Sequence, residues 1–395
     1  MEEKNLDFDK VIERRNTDCL KYDFAVRRGR PENVLPLWVA DMDFPTSSLV
    51  LDAIQQRVEH GIFGYTESGE GYFEAVADWM QQKHGWSVER RWLVKTPGVV
   101  FALAMAVRAY TKEGDAVLIQ QPVYYPFTEV IEDNKRKVVS NTLVLGEDGK
   151  YHIDFADFEK KIVEQGVKLF LFCSPHNPVS RVWTEEELLQ LGEICLKHHV
   201  IVVSDEIHED FVYGANRHIV FANLKKEFAD ISVTCTSPAK TFNLAGLQVS
   251  NIFIPEPKLR AAFRKEIAAA GYSQLNALGL TACEAAYRYG DTWYRAMLHY
   301  VEENICYVKT YLQEQLSEIR LIEPEGTYLL WLDFRGLQQT ESEREEMIVQ
   351  KAGLWLDSGA IFGKAGEGFE RINVACPRAI LTLALEKLKK AIKNS

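Results

Sequence analysis

Short apolar runs alternate with amphipathic stretches through the middle of the chain. The runs at 116–120, 168–173 and 200–203 predict buried strands, because each is continuously apolar rather than alternating. Between them, residues 154–165 and 185–198 carry apolar side chains at helical spacing. Buried strands separated by helices are typical of a mainly parallel sheet with helices on both faces. We therefore predict an α/β fold, in which ligands bind beyond the carboxyl ends of the strands.

The two ends of the chain differ from this middle region. Two prolines bracket the apolar run at 35–45, which predicts an extended arm that crosses the protein, although plain core packing is the alternative. Beyond Gly290, a long helical pattern, strand-like segments and a closing helix at 378–393 predict a smaller α+β unit. The predicted organisation is an N-terminal arm and part of the small domain at 1–48, a large domain at 49–290, and a C-terminal small domain at 291–395.

Composition and charge narrow the class of protein. The 395 residues are 47% hydrophobic, which is enough for a large packed core. The net charge is −11, from 46 basic and 57 acidic residues without long runs of one sign, which argues against a nucleic-acid-binding surface. The acidic start has no apolar signal segment, and no run approaches the roughly 18–20 apolar residues of a membrane span. We therefore expect a cytoplasmic enzyme.

Seven cysteines are scattered through the chain without a Cys-x-x-Cys pair, and several lie within apolar runs. This odd number and this placement favour buried free thiols over a disulfide framework or a zinc site. No metal site is predicted.

Candidate chemistry begins with a lysine that follows a predicted strand. Residues 231–236 alternate apolar and hydroxyl side chains and run into the turn that carries Lys240. Its neighbours Ala239, Phe242 and Leu244 are small or apolar, so burial should favour the neutral, nucleophilic amine. Such a lysine can form a Schiff base. Taken alone, the pattern also fits an ordinary surface lysine after a strand.

Other predicted strands also end in side chains suited to chemistry. Tyr124, Asn177 and Asp205 each follow one of the three apolar strands of the middle region. At Gly98 a strand leads into an apolar helix whose first N–H groups could bind phosphate, although simple strand–helix connections look the same. Together with Lys240, the strand ends would bring aromatic, amide, carboxylate and amine groups to one rim of the sheet.

This set of groups suits an aromatic cofactor aldehyde that carries a phosphate. Lys240 would form the imine, Asp205 would keep a ring nitrogen protonated, and Asn177 would donate to a ring oxygen. An aromatic side chain would stack on the ring, and the turn at Gly98 would bind the phosphate. A dinucleotide-binding site is the alternative for this type of sheet, but the strand ends carry no G-x-G-x-x-G motif.

Longer motifs in the chain resemble those of one enzyme superfamily. They lie at 38–42, 123–127, 174–178, 204–208, 237–247 and 369–373. Through them the chain resembles the fold-type I pyridoxal 5′-phosphate (PLP) enzymes of the class I/II aminotransferase superfamily, and more narrowly the cystathionine β-lyase or cystalysin-like carbon–sulfur lyase branch. The resemblance covers nearly the whole chain. It implies the aspartate aminotransferase-like fold of PLP-dependent transferases, with PLP as the cofactor.

The resemblance also implies roles for individual residues. Lys240 would hold the cofactor covalently and move the substrate Cα proton, with Asp205 and Tyr124 as further catalytic groups. The residues implied to bind the cofactor are Lys240, Gly98, Val99, Val100, Tyr124, Asn177, Asp205, His208, Ser237 and Tyr65. Those implied to bind the substrate are Arg371, which would grip its α-carboxylate, and Ala40, Asn177 and Tyr125. Tyr65 would reach the phosphate in the partner subunit, so a homodimer is expected.

Several positions leave alternatives open. Asp205 could merely cap a helix, and Arg371 could belong to a structural ion pair. His208 stands where aminotransferases generally carry a tyrosine and could be a packing residue, and Tyr125 could be catalytic or a wall of the pocket. Gln248 stands where the aminotransferase pattern has a phosphate-binding arginine. The missing charged contact would be worth about 1.5–3 kcal/mol. Its loss indicates that PLP is bound more weakly, or that the other phosphate donors contribute more of the binding energy.

The reaction is predicted from the branch that the motifs favour. Lyases and aminotransferases of this kind share the Cα deprotonation, so Lys240 suits both. Gln248 and the motifs at 38–42 and 204–208 favour a carbon–sulfur β-lyase that cleaves L-cystathionine, cysteine or S-substituted cysteines to a thiol or sulfide, pyruvate and ammonia. The alternatives are an aminotransferase of broad amino-acid specificity and, as a third reading, a PLP protein with a regulatory protein-binding role. No nucleic-acid or membrane partner is expected.

Overall fold

The computed structural model describes residues 2–393 of the chain. Its strands, in chain order, are β1 (Leu35–Pro36), β2 (Leu93–Thr96), β3 (Ala116–Ile119), β4 (Lys137–Ser140), β5 (Val144–Leu145), β6 (Tyr151–His152), β7 (Leu169–Cys173), β8 (Ile201–Asp205), β9 (Ser232–Thr236), β10 (Ser250–Phe253), β11 (Arg320–Leu321), β12 (Leu329–Asp333), β13 (Leu354–Trp355), β14 (Asp357–Ser358) and β15 (Phe369–Asn373).

The α-helices lie between these strands and at the end of the described chain. They are α1 (Ser48–His60), α2 (Glu70–His84), α3 (Val99–Tyr110), α4 (Pro126–Asp133), α5 (Phe155–Gln165), α6 (Glu185–Lys197), α7 (Phe221–Leu224), α8 (Lys226–Asp230), α9 (Pro238–Thr241), α10 (Pro257–Ala269), α11 (Ala277–Tyr289), α12 (Asp291–Gln315), α13 (Glu341–Glu345) and α14 (Arg378–Lys393). Side chains of Ser47, Asp154 and Thr184 accept hydrogen bonds from first-turn N–H groups, which explains where α1, α5 and α6 begin.

A seven-stranded sheet forms the middle of the protein, in the order β2-β10-β9-β8-β7-β3-β4. Strands β4, β3, β7, β8 and β9 pair in parallel, and β10 pairs antiparallel with β2 and β9. The predicted mainly parallel sheet is therefore confirmed. Because β7, β8 and β9 are neighbours, their carboxyl ends lie side by side, and the side chains that follow them can meet.

The central strands are buried on both faces. Every residue of β3, β7 and β9 is buried. In β9 this includes Ser232, Thr234 and Thr236, although their alternation with apolar residues is typical of a strand with one solvated face. Thr236 is accommodated because its hydroxyl donates to the Asn251 carbonyl at 3.1 Å. Position in the middle of the sheet, rather than the local pattern, decides the burial of β9.

The C-terminal part of the chain forms a second, antiparallel sheet in the order β11-β12-β15-β14. The N-terminal arm joins this part, because β1 pairs in parallel with β13. In the same part of the chain, α13 ends at Glu345 and the backbone continues as a π-helical turn over Glu346–Lys351. Helix α12 begins directly after Gly290, but the domain limits at 48 and 290 stay predictions.

All seven cysteines are free thiols, and five of them are buried, namely Cys173, Cys195, Cys235, Cys283 and Cys376. Cys19 is half-buried and Cys306 is exposed, so the prediction of burial holds for most of them but not for all. Within residues 2–393, none of the helices combines the length and the apolar character needed to span a membrane. The cytoplasmic location stays a prediction.

Candidate active site

A cavity of about 250 Å³ lies beyond the carboxyl ends of β7, β8 and β9. It brings together most of the side chains that the sequence singles out. Its lining includes Ala40, Gly98, Val99, Val100, Tyr124, Asn177, Asp205, His208, Ser237, Lys240 and Gln248. The tertiary structure therefore gathers groups that are more than 200 positions apart in the chain.

Lys240 reaches this cavity from the short helix α9. The hydroxyl of Ser237 caps that helix by accepting a hydrogen bond from the Ala239 N–H at 3.1 Å. Burial, together with the smaller effect of the nearby Arg371, lowers the pKa of Lys240 to about 8, although the carboxylates of Asp41 and Asp205 act in the opposite direction. A lysine with this pKa is substantially neutral slightly above physiological pH, which a nucleophilic or basic amine requires.

Among residues 2–393, the Lys240 ammonium has one hydrogen-bond partner, the backbone carbonyl of Ala40. Lys240 Nζ donates to this oxygen at 2.6 Å, and the Tyr328 hydroxyl donates to the same oxygen at 2.9 Å. The arm around Ala40 is held by two amides: Asn243 donates to the Met42 carbonyl, and Asn373 donates to the carbonyls on either side of Ala40. The arm predicted to cross the protein thus contacts the candidate catalytic lysine.

Tyr328 is a site residue that sequence reasoning missed. It begins the approach to β12 in the C-terminal sheet, is fully buried, and packs its ring edge-on against His208 at 5.8 Å between centroids. Its only sequence signal was a place in an apolar segment, which is shared by many core tyrosines.

Asp205 is the last residue of β8, and it is buried against the cavity. Its Oδ1 accepts a hydrogen bond from the Ile207 N–H at 3.1 Å. Burial raises the pKa of Asp205 to about 7, although the Ile207 hydrogen bond and the charge of Lys240 both favour the carboxylate. A cation placed next to Asp205 would favour the ionised form of this carboxyl.

Asn177 connects the cavity to Arg371 on β15. Asn177 Oδ1 accepts a hydrogen bond from Arg371 Nη1 at 2.9 Å, and its backbone carbonyl accepts one from the Tyr124 N–H at 3.1 Å. Arg371 is buried directly behind the cavity lining and also forms an ion pair with Asp357. The structural ion pair considered for Arg371 thus exists, alongside its contact with a cavity residue.

The turn into α3 forms another part of the cavity lining. Gly98 has φ of 152°, which favours glycine, and α3 begins at the next residue without a side-chain cap. Val99 and Val100, in the first turn of α3, also line the cavity. Ser237 lies nearby but gives its hydroxyl proton to the Val249 carbonyl at 2.6 Å, so it would need to rotate to donate to a phosphate.

The remaining predicted residues divide into two groups. His208 lines the cavity, and burial, Lys240 and Arg371 together hold its pKa well below the usual range, so it is a neutral ring. Tyr125 lies outside the lining and packs against Tyr124 with ring centroids 5.2 Å apart. Tyr65 is fully exposed and does not line the cavity of its own chain. Gln248 lines the cavity, where Lys240 is the only residue with a positively charged side chain among the described lining residues.

Comparison with known proteins places the chain among PLP enzymes. The family model described as aminotransferase class I and II matches residues 32–388. Cystathionine beta-lyase PatB of Bacillus subtilis is 43% identical over 98% of this chain and 100% of its own length. Cystalysin of Treponema denticola, whose crystal structure contains PLP, superposes with a TM-score of 0.95 at 39% identity, covering 98% of this chain and 99% of that one. A PLP-bound C-S lyase of Staphylococcus hominis gives a TM-score of 0.91 at 34% identity, over 98% of both chains.

Proposed function

The chain belongs to the class I and II aminotransferase family, and we propose that it is a PLP-dependent carbon–sulfur β-lyase. The observation that carries the choice of reaction is the 43% identity with a cystathionine beta-lyase along essentially the full length of both proteins. The proposed substrates are L-cystathionine, cysteine and S-substituted cysteines. With one water, the reaction yields a thiol or sulfide, pyruvate and ammonia.

The chemistry of the cavity residues fits PLP. Burial raises the pKa of the Asp205 carboxyl, and a protonated ring nitrogen beside it would favour the ionised carboxylate. Asn177 uses its amide oxygen for Arg371, so its amide N–H groups are left to donate to a ring oxygen. The uncapped first turn of α3 at Val99 suits a phosphate, because its N–H groups carry the positive end of the helix dipole.

PLP supplies an aldehyde that condenses with the substrate amine and a ring that withdraws electrons from the substrate Cα. The chain supplies positioning and proton transfer. The neutral amine of Lys240 takes the proton from Cα, which its lowered pKa permits near neutral pH. Arg371 would hold the substrate α-carboxylate, and Tyr124, which lines the cavity, would help to hold the cofactor ring. Loss of the thiolate from Cβ then completes the elimination.

His208 and Tyr125 shape the pocket in this proposal. His208 is neutral and packs edge-on against Tyr328, so it forms a wall of the pocket and does not act as an acid. Tyr125 stands behind Tyr124, and burial raises its pKa, so it stays protonated at neutral pH. We assign Tyr125 to the pocket wall and not to proton transfer.

We also propose that the enzyme works as a homodimer in which Tyr65 enters the partner's cavity. Tyr65 is fully exposed, and the adjacent Ile62 and Phe63 are about two-thirds and more than half exposed. An apolar segment of this kind is typical of a covered surface. Light scattering should give twice the mass of the chain. Tyr65→Phe should release PLP faster than the wild type, whereas Tyr289→Phe, at another exposed tyrosine, should not.

The function is tested by incubating the PLP-loaded enzyme with L-cystathionine and coupling pyruvate to lactate dehydrogenase. We expect continuous pyruvate formation without an added oxo acid. Lys240→Ala should abolish it and remove the visible absorption of lysine-bound PLP, while Lys265→Ala, on the exposed face of α10, should retain both. Stoichiometric conversion of the cofactor to pyridoxamine phosphate, without pyruvate, would instead establish an aminotransferase.

A further inference from the structure

The guanidinium of Arg371 already has an anion beside it in the protein. Asp357 on β14 lies directly opposite Arg371 on β15, and their side chains form a buried ion pair through Arg371 Nη2. Both residues are buried, with Arg371 at 2% and Asp357 at 6% exposure. The residue proposed to hold the substrate carboxylate is therefore neutralised before any substrate arrives.

The nitrogen atoms of Arg371 differ in how many hydrogen-bond partners they have. Nη2 has two hydrogens and two partners, the Asp357 carboxylate and the Trp38 carbonyl at 2.8 Å. Nη1 donates to Asn177, and Nε has no partner among the described residues. A guanidinium offers a carboxylate two forked sites, one from Nε and Nη2 and the other from Nη1 and Nη2. Each fork therefore needs an Nη2 hydrogen that is already committed.

The two partners of Nη2 differ in how readily they can release its hydrogens to a substrate. The Trp38 carbonyl is part of the backbone beside β1 and is neutral. The Asp357 carboxylate is a side chain, and it carries the same charge as the incoming substrate group. Like charges that share one cation disfavour each other's ionised form, so Asp357 is the partner that a second carboxylate would displace or protonate.

We infer that Asp357 is the resident counter-ion of Arg371: its carboxylate occupies the guanidinium in the free enzyme and yields an Nη2 hydrogen to the α-carboxylate of the substrate. The inference rests on the proposed role of Arg371. It makes Asp357 a residue that sets the affinity for carboxylate ligands, and it predicts that a ligand without an α-carboxylate gains no binding from Arg371.

The groups around Asp357 influence how readily its carboxylate releases Arg371. Arg371 and Arg30 stabilise its charge, whereas burial raises its pKa, and burial has the larger effect. The other titratable groups that face it electrostatically are Tyr124, Tyr125 and Glu370. Because a second carboxylate on Arg371 would add repulsion, binding should draw a proton onto Asp357.

The test is calorimetric binding of 3-(methylthio)propionate, the analogue of S-methylcysteine that lacks the amine and cannot react, to the PLP-loaded enzyme. Asp357→Asn keeps the shape but removes the competing charge, so it should bind the analogue about tenfold more tightly than the wild type. Titrations in two buffers of different ionisation enthalpy should show proton uptake with the wild type and none with Asp357→Asn.

Two further variants separate the possible failures. Arg371→Lys should lose most of the binding; if it binds like the wild type, the proposed role of Arg371 is wrong. Glu370→Gln removes the neighbouring buried acid and should keep both the affinity and the proton uptake. If Asp357→Asn binds the analogue no more tightly than the wild type while Arg371→Lys binds it weakly, the inference about Asp357 is wrong and the proposed role of Arg371 stands. If Asp357→Asn does not fold, absence of proton uptake in the wild type overturns it.

Discussion

The Lys240 ammonium donates a 2.6 Å hydrogen bond to the Ala40 carbonyl, although 200 residues separate them in the chain. The same oxygen accepts a hydrogen bond from Tyr328, which directly precedes strand β12 of the C-terminal sheet. One backbone carbonyl of the N-terminal arm thus joins the central sheet, the arm and the C-terminal part at the candidate catalytic lysine. The position of Lys240 depends on all three.

Tyr328→Phe should reduce kcat/KM for L-cystathionine by about fivefold. The change removes a hydrogen bond worth about 1 kcal/mol from the Ala40 carbonyl and leaves that oxygen free to shift with Lys240. Steady-state pyruvate formation measures the effect. Tyr213→Phe is the matched control, because the buried Tyr213 hydroxyl has no partner among the described residues. Equal activity of the two variants would show that Tyr328 does not position Lys240.

Asp205→Asn should lower kcat by about 100-fold or more. A neutral amide cannot stabilise a positive charge on the cofactor ring, and preorganised charges of this kind are worth about 10²–10³ in rate. Single-turnover pyruvate formation at saturating PLP separates this effect from cofactor loss. Asp333→Asn, which alters a buried aspartate paired with Arg335 away from the cavity, should stay near the wild-type rate. An Asp205→Asn rate within threefold of the wild type would contradict the assignment.

The reaction of the PLP-free enzyme with PLP should accelerate as pH rises and level off above about pH 8. Only the neutral amine of Lys240 reacts, and burial, followed by the charge of Arg371, lowers its pKa to about 8. Because Asp41 favours the ammonium form, Asp41→Asn should move the midpoint to lower pH. Stopped-flow absorbance at a series of pH values gives both midpoints.

Asp230→Asn is the control for this pH series, because Asp230 pairs with Lys226 on the surface. Its midpoint should match that of the wild type. A midpoint near the usual pKa of a free lysine in the wild type would mean that Lys240 is solvated rather than buried.

Lys21→Met should destabilise the protein by about 3 kcal/mol. Lys21 is fully buried, with its Nζ 2.9 Å from Asp43 Oδ2 and 3.5 Å from Asp41 Oδ1. Burial alone would lower the pKa of Lys21, but the two carboxylates outweigh it and the pKa is raised. Removing the ammonium leaves two carboxylates whose remaining ion-pair partner among the described residues is Arg14. Urea unfolding followed by circular dichroism measures the change.

Lys10→Met provides the comparison for Lys21→Met, because Lys10 is exposed. Its unfolding midpoint should stay within experimental error of the wild type. If Lys21→Met unfolds at the same urea concentration, the buried cluster does not stabilise the arm.

Part of the candidate site could be predicted because parallel strands end at one edge. Asn177 and Lys240 follow buried strands and Asp205 ends one, so their meeting follows from the sheet order. Their roles in catalysis stay predictions. Tyr328 and Asp357 had no such signal, since Tyr328 directly precedes β12 and Asp357 lies in β14, and only packing brings them into contact with Ala40 and Arg371.

The apolar pattern by itself determined the α/β class, the limits of α5, α6 and α14, and the strands that lead to the chemical groups, because these depend on contacts within short segments. The tertiary structure alone decided what each group faces. The burial of the hydroxyls in β9, the carbonyl that holds Lys240 and the carboxylate beside Arg371 all come from residues far away in the chain. Burial and nearby charge set the pKa of a side chain, and both depend on those distant neighbours.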